Sequence, residues 1–198
     1  MGINQPLRVG LCGIGLEVYW SQFAGLEVRL KGYVEQVAER LKRPGVEVVD
    51  LGLIDTPQRS QTAGRQCRRE DIDVLFLYVT TYALSNTVLP LVQRAGVPVV
   101  VLNLQPQAAI DYAAFNKLAD RTAMTGEWLA YCSACPVPEI ANLLARAGVP
   151  FHQVTGVLEN YPECWREIED WMQAAHAAET LSHTRVGLMG HYYGGMLD

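Results

Sequence analysis

The residues whose types and spacing could carry chemistry fall into four groups. Cys132 and Cys135 form a C-x-x-C, followed by Pro136. Zinc would need two further ligands at suitable spacing, and Cys12 and Cys67 stand alone. Thioredoxin-type exchange places such a pair at a helix start after the first strand, which is not where this pair falls. The pair therefore reads as packing. Gly13-Ile14-Gly15 is the first half of a dinucleotide phosphate turn, but Glu17 and Val18 follow and the third glycine is missing. These glycines read as residues that turn the chain. Tyr19-Trp20 with Glu17 and Gln22, and Tyr82 with Ser85 and Asn86, put aromatic rings beside polar groups. A ring face covers sugar C–H groups while amides bind hydroxyls. Aromatics folded back on a helix, and Ser85 as a helix cap, are the competing readings. Among the histidines, His152 alternates into a strand, while His176 and His183 belong to a helix. His191 differs, because it closes a strand and precedes Tyr192-Tyr193-Gly194-Gly195. No nucleophile triad, P-loop or HExxH motif is present.

These groups need elements to position them. Leu7–Ile14 is a short apolar run and reads as a buried strand. From Ser21 to Arg43, apolar residues recur at Phe23, Leu26, Leu30, Val34, Val37 and Leu41, the spacing of an amphipathic helix, which Pro44-Gly45 ends. Val46–Ile54 is a strand. Thr56 and Pro57 open a helix as N-cap and first residue. Ile72–Val79 is almost free of polar residues, as a strand buried on both faces requires. A helix over Ser85–Ala95 and a strand over Val97–Leu104 follow. Four such βα units in order predict a doubly wound parallel sheet. After Gln105 the alternation blurs. Tyr112–Ala130 reads as one weakly periodic helix, Glu139–Ala147 as another, Pro150–Leu158 as a fifth strand, and the segment from Pro162 to His183 as a long helix. Thr184–Gly190 reads as a last strand. In an open parallel sheet a ligand sits beyond the carboxyl ends of the strands, so the loops after strands one, three and four are the candidate site.

The totals narrow the class. The 198 residues are 49% hydrophobic and 19% charged, enough apolar mass for one good core. A net charge of −5 without a basic stripe argues against nucleic acid. The cluster of Arg65, Arg68 and Arg69 lies beside Glu70 and Asp71 and reads as a solvated helix face. No apolar run is long enough for a membrane span, and no secretory signal is visible. Five cysteines, an odd count, suit reduced thiols and a cytoplasmic location.

Several stretches taken together resemble the L-arabinose/L-fucose isomerase family, in its arabinose-isomerase-like branch. They are GLEVYWSQFAGLEVRLKGY, TTYALSNTVLPLVQRAGVPVVVLNLQP, GEWLAYCSACPVPEI, FHQVTGVL and GHYYGGMLD. The resemblance implies a flavodoxin-like sheet of about five strands over residues 1–182, then the first strand of a second α/β domain over 183–198. It implies the N-terminal part of a longer aldose–ketose isomerase. In that family Mn²⁺ or a similar divalent ion is held by two glutamates and two histidines of later domains. No catalytic residue and no metal ligand is expected in this chain, which alone should be inactive. The implied partners are a monosaccharide, an aldopentose or 6-deoxyhexose, and other copies of the chain in a homo-oligomer whose N-terminal domain covers a neighbour's site. By resemblance Tyr19, Tyr82 and Met196 face the sugar, with Glu17, Gln22 and His191 as nearby groups. Leu16 stands where arabinose isomerases carry a glutamine, which leaves the sugar's identity open. A stand-alone flavodoxin-like sugar-binding module without catalysis is the alternative, and a nucleotide-binding regulator the third. Residues beyond Ser182 are expected to lack packing partners within the chain.

Overall fold

A computed structural model describes residues 6–159, 161–187 and 189. Its frame is a sheet of five parallel strands: β1 (Leu7–Ile14), β2 (Val46–Ile54), β3 (Val74–Val79), β4 (Val99–Gln105) and β5 (Phe151–Val157). Their order across the sheet is β2-β1-β3-β4-β5. That is the flavodoxin-like form of the doubly wound fold.

Side chains alternate between faces along each strand, and both faces are covered. On one face Cys12, Leu75, Leu77 and Val101 meet α2 (Pro57–Arg69), α3 (Ser85–Ala95) and α6 (Val137–Arg146) through Cys67, Leu91 and Ile140. On the other, Leu11, Phe76, Tyr78 and Leu102 meet α1 (Leu26–Leu41) and α7 (Pro162–His183) through Val37, Ile168 and Met172. β3 is buried at every position, which explains why its sequence carries no alternation of polarity. The buried Tyr78 hydroxyl finds its partner in the Leu104 carbonyl, 3.1 Å away on β4.

Local chemistry moves several boundaries. The first helix begins at Leu26, not Ser21, because a short 3-10 turn (Glu17–Tyr19) comes first and Gly25 caps the helix in the left-handed region at φ 83°. The single helix expected over Tyr112–Ala130 is two: α4 (Tyr112–Phe115) and α5 (Arg121–Leu129). Each has its own aspartate cap. The Asp111 carboxylate accepts from Ala113 N and Ala114 N at 3.0 Å, and the Asp120 carboxylate accepts from Ala123 N at 2.8 Å. Two N-caps in one stretch start two helices. Thr56 caps α2 as its sequence suggests, accepting from Arg59 N. Beyond α7, Thr184–Gly187 form no strand and are exposed, and Gly190 lies outside the described residues.

Candidate functional site

Strand order reverses between β1 and β3, so the loops leaving these two strands flank the crevice where this topology receives ligands. Thr80, just past β3, ties the two strand ends together. Its backbone N–H and its hydroxyl both donate to the Ile14 carbonyl, at 3.2 and 2.9 Å. The buried Thr81 hydroxyl donates to the Leu129 carbonyl at 2.7 Å and so holds the end of α5 over the same edge.

The loop after β1 carries two large aromatics that pack on one cluster but make different outward contacts. Trp20 turns toward β2. Its indole N–H donates to the buried Asp55 carboxylate at 2.6 Å, and Arg59 donates to the same oxygen at 2.8 Å. The other oxygen of Asp55 is buried without a partner among the described residues. The Trp20 ring covers Gly15 so closely that an added Cβ would stand 2.9 Å from it. At Gly13 a Cβ would stand 2.5 Å from Val34. Neither glycine has positive φ. Gly-Ile-Gly is therefore glycine for close packing rather than for turning the chain, and its backbone approaches a helix and an indole ring.

Tyr19 packs in the same aromatic cluster as the Trp20 ring. Tyr19, Trp20, Phe23, Tyr33, Tyr82 and Tyr131 pack around buried Leu26, Leu30, Leu129 and Cys132. Tyr19 and Phe23 meet edge to face, with centroids 5.8 Å apart. Burial, then the neighbouring Cys132, Tyr82 and Cys135, raise the Tyr19 pKa, so its hydroxyl stays protonated and remains a donor. Beneath, Arg29 donates to both Glu127 oxygens, at 2.5 and 3.2 Å, and to the Tyr33 hydroxyl at 2.6 Å, with its guanidinium 5.6 Å from the Tyr131 ring centre. Burial opposes the charge, but these hydrogen bonds raise the Arg29 pKa overall. The bidentate pair joins α1 to α5 across 98 residues of sequence.

Between the β1 loop and α5 lies a cleft of about 510 Å³, lined among others by Gln22, Phe23, Arg29, Asp120, Thr122 and Glu127. One aromatic ring, Phe23, with amide, hydroxyl, carboxylate and guanidinium groups is suited to a small polyhydroxylated molecule, whose hydroxyls donate and accept, and Tyr19 joins the cleft through its edge contact with Phe23.

The candidate residues divide accordingly. Tyr19 and Tyr82 come together in one cluster. Gln22 lines the cleft, its amide tied back to the Val18 carbonyl at 2.8 Å. Glu17 is exposed on the 3-10 turn. His191 and Met196 lie outside the described residues. Ser85 does not cap α3 through its hydroxyl. It is the first helical residue, and Glu139 of α6 accepts its backbone N–H at 3.1 Å. His152 pairs with Glu167 at 2.7 Å and stacks on Trp171, an edge contact between β5 and α7. Asp55, Thr80 and Thr81 escaped the sequence reading, although an acidic residue and two threonines directly after apolar strands are a readable signal. The Arg29–Glu127 pair has no local signal at all. Among the described residues no group of three or more His, Cys, Asp or Glu side chains could hold a metal ion. No described helix is long and apolar enough to cross a membrane.

No family model matches the chain, and no curated protein matches it. Solved structures do. The response regulator domain of Thermotoga maritima CheB is 11% identical with a TM-score of 0.36, covering 87% of this chain and 98% of its own. A putative acylhydrolase from Bacteroides fragilis is 15% identical with a TM-score of 0.42, covering 88% and 90%. At these identities and TM-scores the likeness carries no argument, and the fold rests on the strand order itself.

Proposed function

We propose that this chain is the sugar-facing N-terminal domain of a metal-dependent aldose–ketose isomerase similar to L-arabinose isomerases. One observation carries the reading: Tyr19 and Tyr82, on the two loops that flank the reversal of strand order, pack in one aromatic cluster beside the polar cleft of Gln22 and Glu127. The five stretches similar to that family support it from the sequence. In this reading the tyrosine rings cover the C–H face of an aldopentose or 6-deoxyhexose, and Gln22 and the Tyr19 hydroxyl bind its hydroxyls. His191 and Met196 belong to the same wall by resemblance.

Moving a proton between C1 and C2 needs a base, an acid and a cation for the developing oxyanion. The described residues do not fit a divalent metal, so no step through Mn²⁺ is assigned to them. They bind, orient and exclude water. Assembly as a homo-oligomer, in which this domain covers a neighbour's site, and a cytoplasmic location complete the proposal.

The test is an isomerase assay with Mn²⁺ over aldopentoses and 6-deoxyhexoses, on this chain and on the longer gene-encoded form. Conversion by the longer form alone is the expected result. Turnover by the 198-residue chain would overturn the assignment of catalysis to residues outside it. Inactivity of both, with saccharide binding retained in calorimetry, would make the protein a sugar-binding module instead.

A further inference from the structure

The C-x-x-C that reads as mere packing in the sequence occupies a particular place in the fold. Cys132 opens a 3-10 turn (Cys132–Ala134), Cys135 closes it, and α6 begins at Val137. The turn lies at the carboxyl edge of the sheet. There Gln105, at the end of β4, binds it with an amide oriented to satisfy both ends: its carbonyl accepts from the Ser133 hydroxyl at 2.6 Å and from Ala134 N at 3.2 Å, and its NH₂ donates to the Tyr131 carbonyl at 2.8 Å. The two sulfurs touch, 2.6 Å apart, across one turn. Their surroundings differ sharply. Cys135 is exposed, whereas Cys132 is 2% exposed among Leu129, Ala130 and the ring cluster of Tyr19 and Tyr82.

We propose that Cys132 and Cys135 form a reversible dithiol–disulfide site, in which the exposed Cys135 is the attacking thiol and the buried Cys132 the resolving one. The oxidant class is a low-molecular-weight disulfide, RSSR. The Cys135 thiolate attacks one sulfur of RSSR, the S–S bond breaks, and RS⁻ leaves and takes a proton from water. The Cys132 thiol then gives its proton to solvent and attacks the Cys135 sulfur, expelling the second RS⁻. Two protein thiols lose two electrons, and RSSR becomes two RSH. Burial, followed by the hydrogen bond to Cys135, raises the Cys132 pKa, which fits a resolving thiol better than a first attacker. Contact with its partner offsets its weak acidity. The remaining cysteines have no such opening: Cys12, Cys67 and Cys164 are buried. Burial likewise raises the pKa of Cys12 and Cys67, so neither competes as a nucleophile. The site stands independently of the sugar reading.

The test equilibrates the native chain in glutathione buffers of rising oxidised fraction, quenches with acid, alkylates every remaining thiol in denaturant with a maleimide and maps the thiols by mass spectrometry. The expected result is loss of alkylation at Cys132 and Cys135 together, with the peptide carrying them lighter by two hydrogens. Cys12, Cys67 and Cys164 stay alkylated, and reduction restores all five thiols. Cys132→Ser should halt at a glutathione adduct on Cys135, and Cys135→Ser should take up no glutathione at Cys132. Five alkylated thiols throughout, a glutathione adduct persisting on native Cys135, oxidation of the three other cysteines in step with the pair, or an adduct on Cys132 in Cys135→Ser would each overturn the proposal. The wild-type measurement decides even if the Cys132→Ser chain does not fold.

Discussion

The body of the sheet and its carboxyl edge are built on different terms. In the body, β3 is buried at every residue and its neighbours are aliphatic, so position is set by volume and by the backbone ladder. At the edge, buried polar groups collect: Asp55, Thr80, Thr81, Asn103 and Ser133. There position is set by a few directional hydrogen bonds, as where Asp55 accepts from both Trp20 and Arg59. The body therefore tolerates exchange of apolar residues of similar size. The edge does not tolerate loss of a partner, because each loss strands a buried group. A fold can be kept by the first kind of constraint while its chemistry is specified by the second.

The contrast can be broken experimentally at graded cost. Phe76→Ala empties a fully buried position under α1 and α7, and should cost about 3–5 kcal/mol in chemical denaturation. A loss below about 1 kcal/mol would mean that the two helices close over the void. Asp55→Ala removes the acceptor of Trp20 and Arg59, and should cost about 2 kcal/mol, less than the core cavity because the unpartnered Asp55 oxygen is removed too. Trp20 fluorescence should shift to the red as the indole is released. An unshifted emission would show that packing against Gly15, not the carboxylate, holds the ring. Tyr19→Ala should cost the least stability, about 1 kcal/mol, because the ring is half-buried. On the proposed isomerase reading its effect belongs to the site: Tyr19→Ala in a sugar-converting longer form should lower kcat/KM, and an unchanged kcat/KM would return Tyr19 to packing.

Legibility in the sequence follows the same division. The strands and the long helices were readable because burial imprints a period: Leu26, Leu30, Val34, Val37 and Leu41 form one stripe, and all five are buried. The first half of the chain, through β4, reads correctly to within a few residues. The segment after Gln105 does not, because α4 and α5 are short and lie against the edge, where half-buried faces leave no clean period. Asp111 and Asp120 were available as cap signals and would have divided them. Of the candidate site residues, Tyr19, Tyr82 and Gln22 are named from aromatic rings beside polar groups in the strand-end loops and from the family resemblance. That the Trp20 indole N–H reaches Asp55 at the end of β2 while Tyr19 meets Phe23 edge to face follows only from the fold, since adjacent residues in a loop have no fixed relative direction.

By itself the sequence determined the class of the fold, its five strands and the loops that carry its polar and aromatic groups, because burial and turn chemistry act over a few residues and leave their mark there. The tertiary structure alone decided three things: that Gly13 and Gly15 serve close packing, that Arg29 and Glu127 meet across 98 residues, and that Cys135 faces solvent while Cys132 does not. Each depends on which distant segment arrives beside a given side chain, and no local pattern encodes that.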